Sequence, residues 1–445
     1  MSNYQSKRVL VLGLGISGRS AVKFLLKRGS FVTGADRNPD ILNGDEELTP
    51  FIGKQFKTIA DSAACNIKEF DFLVVSPGIP HTHPLYEKAM AAGIGIVGEI
   101  ELACGFIPQK CLAVTGTNGK TTVTLMVAHI LNHAGMSARA LGNVGTPLTS
   151  AIDSGSVNEN EIFVIELSSF QLDTLHTRFI DAGVILNITP DHLDRYGSLE
   201  AYAESKAHLY SCLKAQGKLF VEDRCLKEFS FIFSTFSMQS YGYSDRNFIH
   251  TDTKNVYVNK KKVFDLPENL QGKRTHDAEN LMAAYALCQY VGVTEDQFCA
   301  ALQTFKKPSH RIEFVRTVRG VHYYDDSKGT NIDAVIRAVE VIGGNIVLIA
   351  GGVDKGASYA LWLDAIAHKL KFICAIGNAK EKIKCDLGSH IPMALFATLD
   401  EAVIHAASVS KEGDTVLLSP GCSSYDMFRD YEHRGREFQR IVNEL

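Results

Sequence analysis

Ala113-Val114-Thr115-Gly116-Thr117-Asn118-Gly119-Lys120-Thr121-Thr122 is the stretch on which the reading of this chain turns. An apolar strand, Cys111 to Val114, runs into a turn with two glycines and then into Lys-Thr-Thr at the start of a helix. A turn of this kind lets successive backbone N–H groups face an anion, and the helix N-terminus adds its partial positive charge. Lys120 can reach the outer phosphates of a nucleotide, and Thr121 can offer a hydroxyl to Mg²⁺. The strict phosphate-loop spacing asks for glycine where Val114 stands, so the loop is a tighter variant. The competing reading is a chance Gly-Lys-Thr at an ordinary strand–turn–helix corner, and the flanking sequence weighs against it.

Upstream, Arg8 to Leu12 reads as a strand, and Gly13-x-Gly15-x-x-Gly18 opens an apolar-periodic helix to about Leu26. A second strand, Phe31 to Ala35, ends at Asp36. This is the dinucleotide fingerprint in its strand–turn–helix context, with an acid about 20 residues on. A third strand, Phe72 to Val75, ends in Ser76-Pro77-Gly78, and the block closes near Gly98. The literal reading is NAD, but the geometry suits any ligand carrying a pyrophosphate, a UDP-sugar included.

Downstream, a short helix from Glu99 to Cys104 precedes the phosphate loop. Strand Ile162 to Glu166 ends in Glu166-Leu-Ser-Ser169, and strand Gly183 to Ile188 leads into Pro190-Asp191-His192-Leu-Asp194. A helix is expected from Leu199 to Leu213, and His276-Asp277-Ala-Glu-Asn280 heads a long helix to about Tyr290. Lys306-Lys307-Pro308 reads as a hinge. Beyond it, strands Val321 to Tyr324, Asn345 to Ala350, Phe372 to Ile376 and Thr415 to Leu418 each enter a polar, glycine-rich loop. The expected fold is α/β in three domains: a Rossmann-like domain at 1–98, a central P-loop ATPase-like domain at 99–307, and a doubly wound Rossmann-like domain at 308–445. Ligands belong at the C-terminal edges of such sheets.

Composition narrows the class. A chain of 445 residues suggests two to four domains. An apolar share of 45% and a charged share of 22% are ordinary for a soluble enzyme. A net charge of −4 gives no footprint for nucleic acid or a membrane surface. The ten scattered cysteines contain no Cys-x-x-Cys, as expected of reduced thiols in a cytoplasmic protein. No apolar run is long enough to span a bilayer, and the signal-like Lys7-Arg8-Val-Leu-Val-Leu is broken by Gly13.

Individual side chains carry two readings each. Glu166, alone, would be a cap or an ion pair; in a block with a phosphate loop, it is the expected metal or water-orienting acid. His192 is either a surface histidine or a metal ligand, though Mg²⁺ prefers oxygen. Lys206 falls on the apolar stripe of Leu199, Tyr202, Leu209, Tyr210 and Leu213. It either snorkels or is desolvated enough to present a neutral amine, which can add CO₂ and become a carbamate. Asp326-Ser-Lys328 is a turn with a local ion pair, or a second half-site for nucleotide and acyl phosphate. Arg311 is a boundary cap, or it reaches ATP across the hinge.

Taken in order, Thr115-Gly-Thr-Asn-Gly-Lys-Thr-Thr122, Glu166-x-Ser-Ser, Asn187-x-x-x-Asp-His192-x-Asp, Lys206, His310-Arg311-x-Glu and Asp326-x-Lys328-x-Thr330-Asn331 resemble the Mur ligases over essentially the whole chain. These are ATP-dependent amide ligases that build the peptidoglycan stem peptide. The opening Gly13-Leu-Gly-Ile-Ser-Gly18, the Ser76-Pro-Gly78 loop, Leu141-Gly-Asn143-Val-Gly and the ending Leu418-Ser-Pro-Gly-Cys-Ser-Ser-Tyr-Asp426 are similar to the branch that adds D-glutamate to UDP-N-acetylmuramoyl-L-alanine. The resemblance implies ATP on Gly116, Thr117, Asn118, Gly119, Lys120, Thr121 and Thr122, with Asp277, Asn280, Arg311 and Asp326. It implies two Mg²⁺ sites, one on Thr121 and Glu166, the other on Glu166, His192 and a CO₂-derived carbamate of Lys206. Lys120, Glu166, His192 and Lys206 would carry catalysis. The UDP-substrate would lie on Ile16, Ser17, Asp36 and Gly78, with Asn143 on its muramoyl part. D-glutamate would take Lys328, Thr330, Lys355, Ser424 and Tyr431. Val353 stands where some members have an acid, and Tyr431 where some have Phe. A monomer acting on small molecules is expected. The rivals are an L-alanine-adding or later Mur ligase, folylpolyglutamate synthase, an NAD-linked oxidoreductase and a non-catalytic nucleotide sensor.

Overall fold

Val9, Leu10, Val11 and Leu12 are fully buried, as an unbroken apolar run requires of a parallel strand covered on both faces. They form β1 (Arg8–Leu12) of a five-stranded parallel sheet with β2 (Phe31–Asp36), β3 (Phe56–Ala60), β4 (Phe72–Val75) and β5 (Gly95–Val97), in the order β3-β2-β1-β4-β5. The computed structural model describes residues 4–62, 65–155, 158 and 160–445. The helix Ile16–Lys27 packs Ala21, Val22, Phe24 and Leu25 into this sheet's core, the i, i+3, i+4 set of one helical face.

The second sheet has nine strands among the described residues: β6 (Lys110–Thr115), β7 (Ala138–Gly142), β8 (Ile162–Glu166), β9 (Ile180–Ile185), β10 (Leu213–Glu222), β11 (Gln239–Gly242), β12 (Ile249–Thr251), β13 (Asn255–Val258) and β14 (Lys261–Asp265). Their order is β14-β13-β12-β11-β10-β9-β6-β8-β7, parallel from β7 to β12 and antiparallel beyond. β6 lies between β9 and β8, so the loops after these three strands share one edge. The helices Lys120–His133 and His276–Tyr290 bury their apolar residues in a common core with the sheet. A buried polar joint links the first block to the second: Glu99 accepts from Thr149 N at 2.6 Å and from its hydroxyl at 2.5 Å, and Ser20 Oγ lies 2.6 Å from Thr149 Oγ1.

The third sheet runs β15-β16-β20-β17-β18-β19, with β15 (Glu313–Val318), β16 (Val321–Asp325), β17 (Ile346–Gly351), β18 (Leu370–Ile376), β19 (Met393–Leu395) and β20 (Thr415–Leu418). All are parallel except the edge strand β15, which pairs antiparallel with β16. β20, last in the chain, is inserted between β16 and β17, so the loops after all three emerge together.

The chain divides into two compact units, Met1–Ile188 with Ala203–Phe305, and Thr189–Tyr202 with Lys306–Leu445. Among the described residues no helix is long and apolar enough to cross a membrane.

Two expectations on local structure are corrected. The strand expected at Gly183 to Ile188 is β9, Ile180–Ile185. The helix expected to Leu213 ends at Ala207, passes into a 3-10 turn at His208–Cys212, and Leu213 already opens β10. Tertiary bonds decide this: His208 Nε2 is 2.8 Å from Leu175 O, Phe179 N donates to Cys212 O, and Leu213 pairs with Ile180. In the third block, Arg319 and Gly320 turn β15 back onto β16 at positive φ.

Candidate active site

The phosphate loop is built by β6 and the helix Lys120–His133. Gly116 has φ +146° and Gly119 φ +89°, left-handed values that favour glycine. A Cβ at Gly119 would strike the Asn280 carboxamide oxygen, so Asn280 lies directly against the turn. Asn187, just beyond β9, clamps the loop: its Oδ1 accepts from Asn118 N at 2.8 Å, its Nδ2 donates to Asn118 O at 2.9 Å, and its carbonyl accepts from Thr117 N at 2.8 Å. Lys120 folds back over the loop and donates to Gly116 O at 2.9 Å and Thr117 O at 2.8 Å. Lys206, only 1% exposed, donates to the same Gly116 O at 2.8 Å. Two lysine nitrogens thus meet on one carbonyl, whose two lone pairs can serve both. Thr121 and Thr122 are buried at the helix start.

At the end of the neighbouring β8, Glu166 is 2% exposed. Its Oε1 accepts from Asn143 Nδ2 at 2.7 Å, and its backbone carbonyl accepts from Asn143 N. Its Oε2 is buried with no hydrogen-bond partner. A buried carboxylate oxygen without a donor costs roughly 1–3 kcal/mol or more, and a cation removes that cost. The residues therefore fit a divalent metal. Hard oxygen, from the Glu166 carboxylate and from a loop threonine hydroxyl, is the donor Mg²⁺ prefers.

After β1, Gly13 has φ +85°, and a Cβ on Gly18 would run into Gly13 O. Ser76 Oγ donates to Gly13 O at 2.7 Å. Asp36 accepts from Leu14 N at 2.7 Å and Asn38 N at 3.0 Å, so this acid braces the turn. Ile16 stands 80% exposed at the helix start beside Ser17, and Gly78 lies in the loop after β4. A groove of about 580 Å³ runs from Gly15 and Ile16 along the helix past Lys23 to Asp153. Lys23 is already engaged there by Asp45 at 3.0 Å and Glu47 at 2.7 Å.

In the second unit, Asp325 ends β16 and Asp326 follows it. Asp325 is fully buried and accepts from Ser327 N and Gln439 Nε2; its Oδ2 is 2.6 Å from His310 Nδ1. That hydrogen bond raises the imidazole above its ordinary range. Asp326 accepts from Ser419 Oγ at 2.6 Å and Ile312 N at 3.3 Å. Burial pushes its carboxyl up to about 7 against the opposing pull of Ser419 and Arg311. His310 and Ile312, on either side of Arg311, both have positive φ. Lys328 Nζ sits 3.8 Å from the centre of the Tyr431 ring. Lys355 Nζ reaches Asp191 Oδ1 at 3.1 Å and Thr330 Oγ1 at 3.5 Å, and Asn331 Nδ2 donates to Asp191 Oδ2 at 3.2 Å. Ser424 is buried after β20. His192, at φ 54°, heads the short helix Leu193–Tyr196 in this same unit.

The first unit thus brings together the loop residues, Lys206 and Asn280, and pairs Glu166 with Asn143. The second brings Lys355 to Thr330 and Lys328 to Tyr431. Asp277 lies in the first turn of the helix that carries Asn280. Two residues escaped the sequence reading as site builders. Asn187 stands within the Asn187-x-x-x-Asp-His192-x-Asp motif, which gives it no role of its own. Arg434 is 1% exposed and donates to Ser327 O at 2.8 Å, Ser327 Oγ at 3.0 Å and Cys422 O at 3.2 Å, buckling the loops after β16 and β20. It sits in a helix of mean polar character, where an arginine carries no signal.

Residues 7–98 match the family description "Mur ligase MurD-like, N-terminal domain", residues 114–288 "Mur ligase middle domain", and residues 310–422 "Mur ligase, glutamate ligase domain". The chain is 50% identical, over all of both chains, to a UDP-N-acetylmuramoylalanine–D-glutamate ligase of Protochlamydia amoebophila. It is 34% identical to the protein of that name from Chlamydia pneumoniae, over 99% of each chain. Among solved structures, the MurF of Acinetobacter baumannii superposes with a TM-score of 0.63 at 17% identity, covering 98% of this chain and 91% of that one. The UDP-N-acetylmuramate-alanine ligase of Thermotoga maritima gives 0.60 at 19%, covering 98% and 99%. These structures support the α/β architecture. The full-length relatives, the three domain matches and the motifs now seen at their sheet edges agree: the chain belongs to the Mur ligase family.

Proposed function

We propose that this chain joins D-glutamate to UDP-N-acetylmuramoyl-L-alanine at the expense of ATP, in peptidoglycan precursor synthesis. The observation that carries this reading is the full-length identity of 50% to a ligase of that name. The convergence of Lys120 and Lys206 on Gly116 O supports the phosphoryl chemistry.

The substrate carboxylate attacks the γ-phosphorus of ATP, the bond to the β-phosphate oxygen breaks, and ADP leaves. The D-glutamate amine attacks the acyl phosphate carbonyl, and the tetrahedral intermediate collapses to amide and inorganic phosphate as the amine proton is lost. In this reading the loop from Gly116 to Thr122 cradles the phosphates, and Lys120 offsets charge on the transferring group. Asp277, Asn280, Arg311 and Asp326 bind the rest of the nucleotide. Ile16, Ser17, Asp36 and Gly78 hold the UDP moiety, and Asn143 the muramoyl part. Lys328, Thr330, Lys355, Ser424 and Tyr431 take D-glutamate, the lysines matching its two carboxylates. Thr121 and Glu166 would hold one Mg²⁺, and Glu166, His192 and a carbamate on Lys206 a second; when bound, the metal would lower the cost of bringing two anions together. The division at 98 and 307 gives each substrate its own domain, and the enzyme works as a cytoplasmic monomer.

The test is phosphate release with UDP-muramoyl precursors crossed against L-alanine, D-glutamate, L-glutamate, L-lysine and diaminopimelate. Release is expected only with ATP, Mg²⁺, UDP-N-acetylmuramoyl-L-alanine and D-glutamate together. Full activity with L-glutamate, or none with any muramoyl nucleotide, overturns the reading.

A further inference from the structure

Outside the residues already assigned, one network in which a half-exposed arginine joins two buried carboxylates touches the phosphate loop through a single intermediary. Glu222 ends β10, is 1% exposed, and accepts from Arg224 N and Cys225 N at the start of the helix Asp223–Glu228. Its Oε1 also accepts from Arg224 Nε at 3.1 Å. The guanidinium reaches on to the first turn of the helix His276–Tyr290, where Nη2 donates to both oxygens of Glu279 at 2.7 and 2.8 Å. Glu279 Oε2 lies 2.6 Å from His276 Nδ1. The next residue is Asn280, whose carboxamide rests on Gly119.

The body of that helix is held by apolar packing through Leu281, Met282, Tyr285 and Leu287 as well as Ala278, Ala283, Ala284 and Ala286, all buried. Its first turn is held by polar bonds as well. Tyr243 bonds both backbone groups of Thr275, and Arg224 holds Glu279. A planar guanidinium spanning two carboxylates is a more rigid tie than an ammonium. Without it, Glu222 and Glu279 lose the cation that joins them, one of the pair takes up a proton, and the tie from β10 to the turn carrying Asn280 is gone.

We infer that Arg224 is a positioning residue for the nucleotide: by tying the end of β10 to Glu279, it holds Asn280 against the phosphate loop. The inference rests on the reading that this loop binds ATP. It concerns binding, so Arg224 touches neither the transferring phosphate nor the amino acid.

The test measures ATP binding by titration calorimetry and steady-state kinetics on the full chain. Arg224→Met keeps the side-chain stem and removes the fork. Its KM and Kd for ATP are expected to rise about tenfold, with kcat and the KM for the other two substrates within about twofold. Arg224→Lys, which keeps a charge but not the bidentate geometry, should recover part of the loss. Glu279→Gln, which keeps the size of the other partner, should weaken ATP in the same direction and decides the matter if Arg224→Met does not fold. Variants that bind ATP as wild type does, or that lose kcat and every KM together, overturn the inference alone. Wild-type protein that binds no ATP overturns the ligase reading and this inference with it.

Discussion

Two glycine turns in this chain follow the same kind of strand and open the same kind of helix, yet their surroundings differ in charge. After β1, Gly13 at φ +85° is met by a serine hydroxyl, and the neighbouring N–H of Leu14 is taken by the carboxylate of Asp36. After β6, Gly119 at φ +89° is met by an asparagine, and Gly116 O receives two lysines, one of them buried. The backbone shape common to both suits a phosphate-bearing ligand. The side chains separate a turn that holds such a ligand from one that can help break it. Positive charge close to a transferring phosphoryl group stabilises its transition state, and a neutral-to-acidic turn offers no such help.

The largest effect expected of this difference is at Lys120. Lys120→Ala should lower kcat roughly a hundredfold or more while circular dichroism and the thermal midpoint stay near wild type, because the side chain bonds carbonyls of its own loop. Near wild-type turnover would reduce the second turn to the status of the first.

Lys206 comes next. Its nitrogen is buried on Gly116 O, and the carbamate reading requires it to be neutral often enough to capture CO₂. Lys206→Ala should lose most activity, and acetate should restore part of it by occupying the vacated space as an anion. Lys206→Arg should stay inactive because its permanent charge repels a metal. Wild-type protein equilibrated with ¹³C-bicarbonate should show a carbamate carbon signal that is missing from Lys206→Ala. An active Lys206→Arg enzyme, or no such signal, leaves a lysine that simply braces the loop.

Lys206 also shows how much the sequence could reveal. A lysine on a stripe of Tyr202 and Leu209 is out of place by helical periodicity, and it is buried as that pattern implies. The helix limit drawn from the same stripe was wrong, since Leu209 and Leu213 are buried through a 3-10 turn and a strand instead. Apolar spacing reports which residues go inside, while the bonds of Phe179 and Leu175 to this segment decide its backbone. Strands β1, β4, β8 and β20 have the limits read from sequence, because strands buried on both faces are continuous apolar runs with polar ends. β11 to β14 were not anticipated. They span three to five residues each, too short for a period-two pattern to stand out. At the site, residues within one motif were legible. The clamp of Asn187 on Asn118 and the tie of Arg224 to Glu279 join distant segments, and no local pattern records them.

The first turn can be broken sterically. A methyl group at position 18 would meet Gly13 O well inside contact distance, and that atom is backbone. Gly18→Ala should cost about 1–3 kcal/mol of stability, the usual range for overpacking, and raise the KM for the UDP-substrate with kcat little changed. Calorimetry together with kinetics reads both. A loss of kcat at unchanged KM would mean that this turn, too, acts on the chemistry.

The smallest effect is expected at Asp36, and it sharpens the comparison most. Its carboxylate accepts from Leu14 N and Asn38 N, one bond to each oxygen. Asp36→Asn keeps the shape but replaces one acceptor oxygen by a donor, so one of the two N–H groups loses its partner. A single such bond is worth roughly 0.5–1.5 kcal/mol. The turn should loosen without unfolding, and the KM for the UDP-substrate should rise about three- to tenfold by that amount. Because Asp36 braces a binding turn, kcat at saturating UDP-substrate should be unchanged, as should the KM values for ATP and D-glutamate. The NAD-linked alternative predicts something else for the same residue: an acid at this position would select a ribose hydroxyl, and Asp36→Asn would alter nicotinamide-nucleotide binding. Measuring UDP-substrate and NAD binding side by side on wild type and variant separates the two. Tight NAD binding that falls on substitution would return the first turn to its literal reading, whereas a rise confined to the UDP-substrate KM keeps it as a pyrophosphate cradle with no part in the reaction.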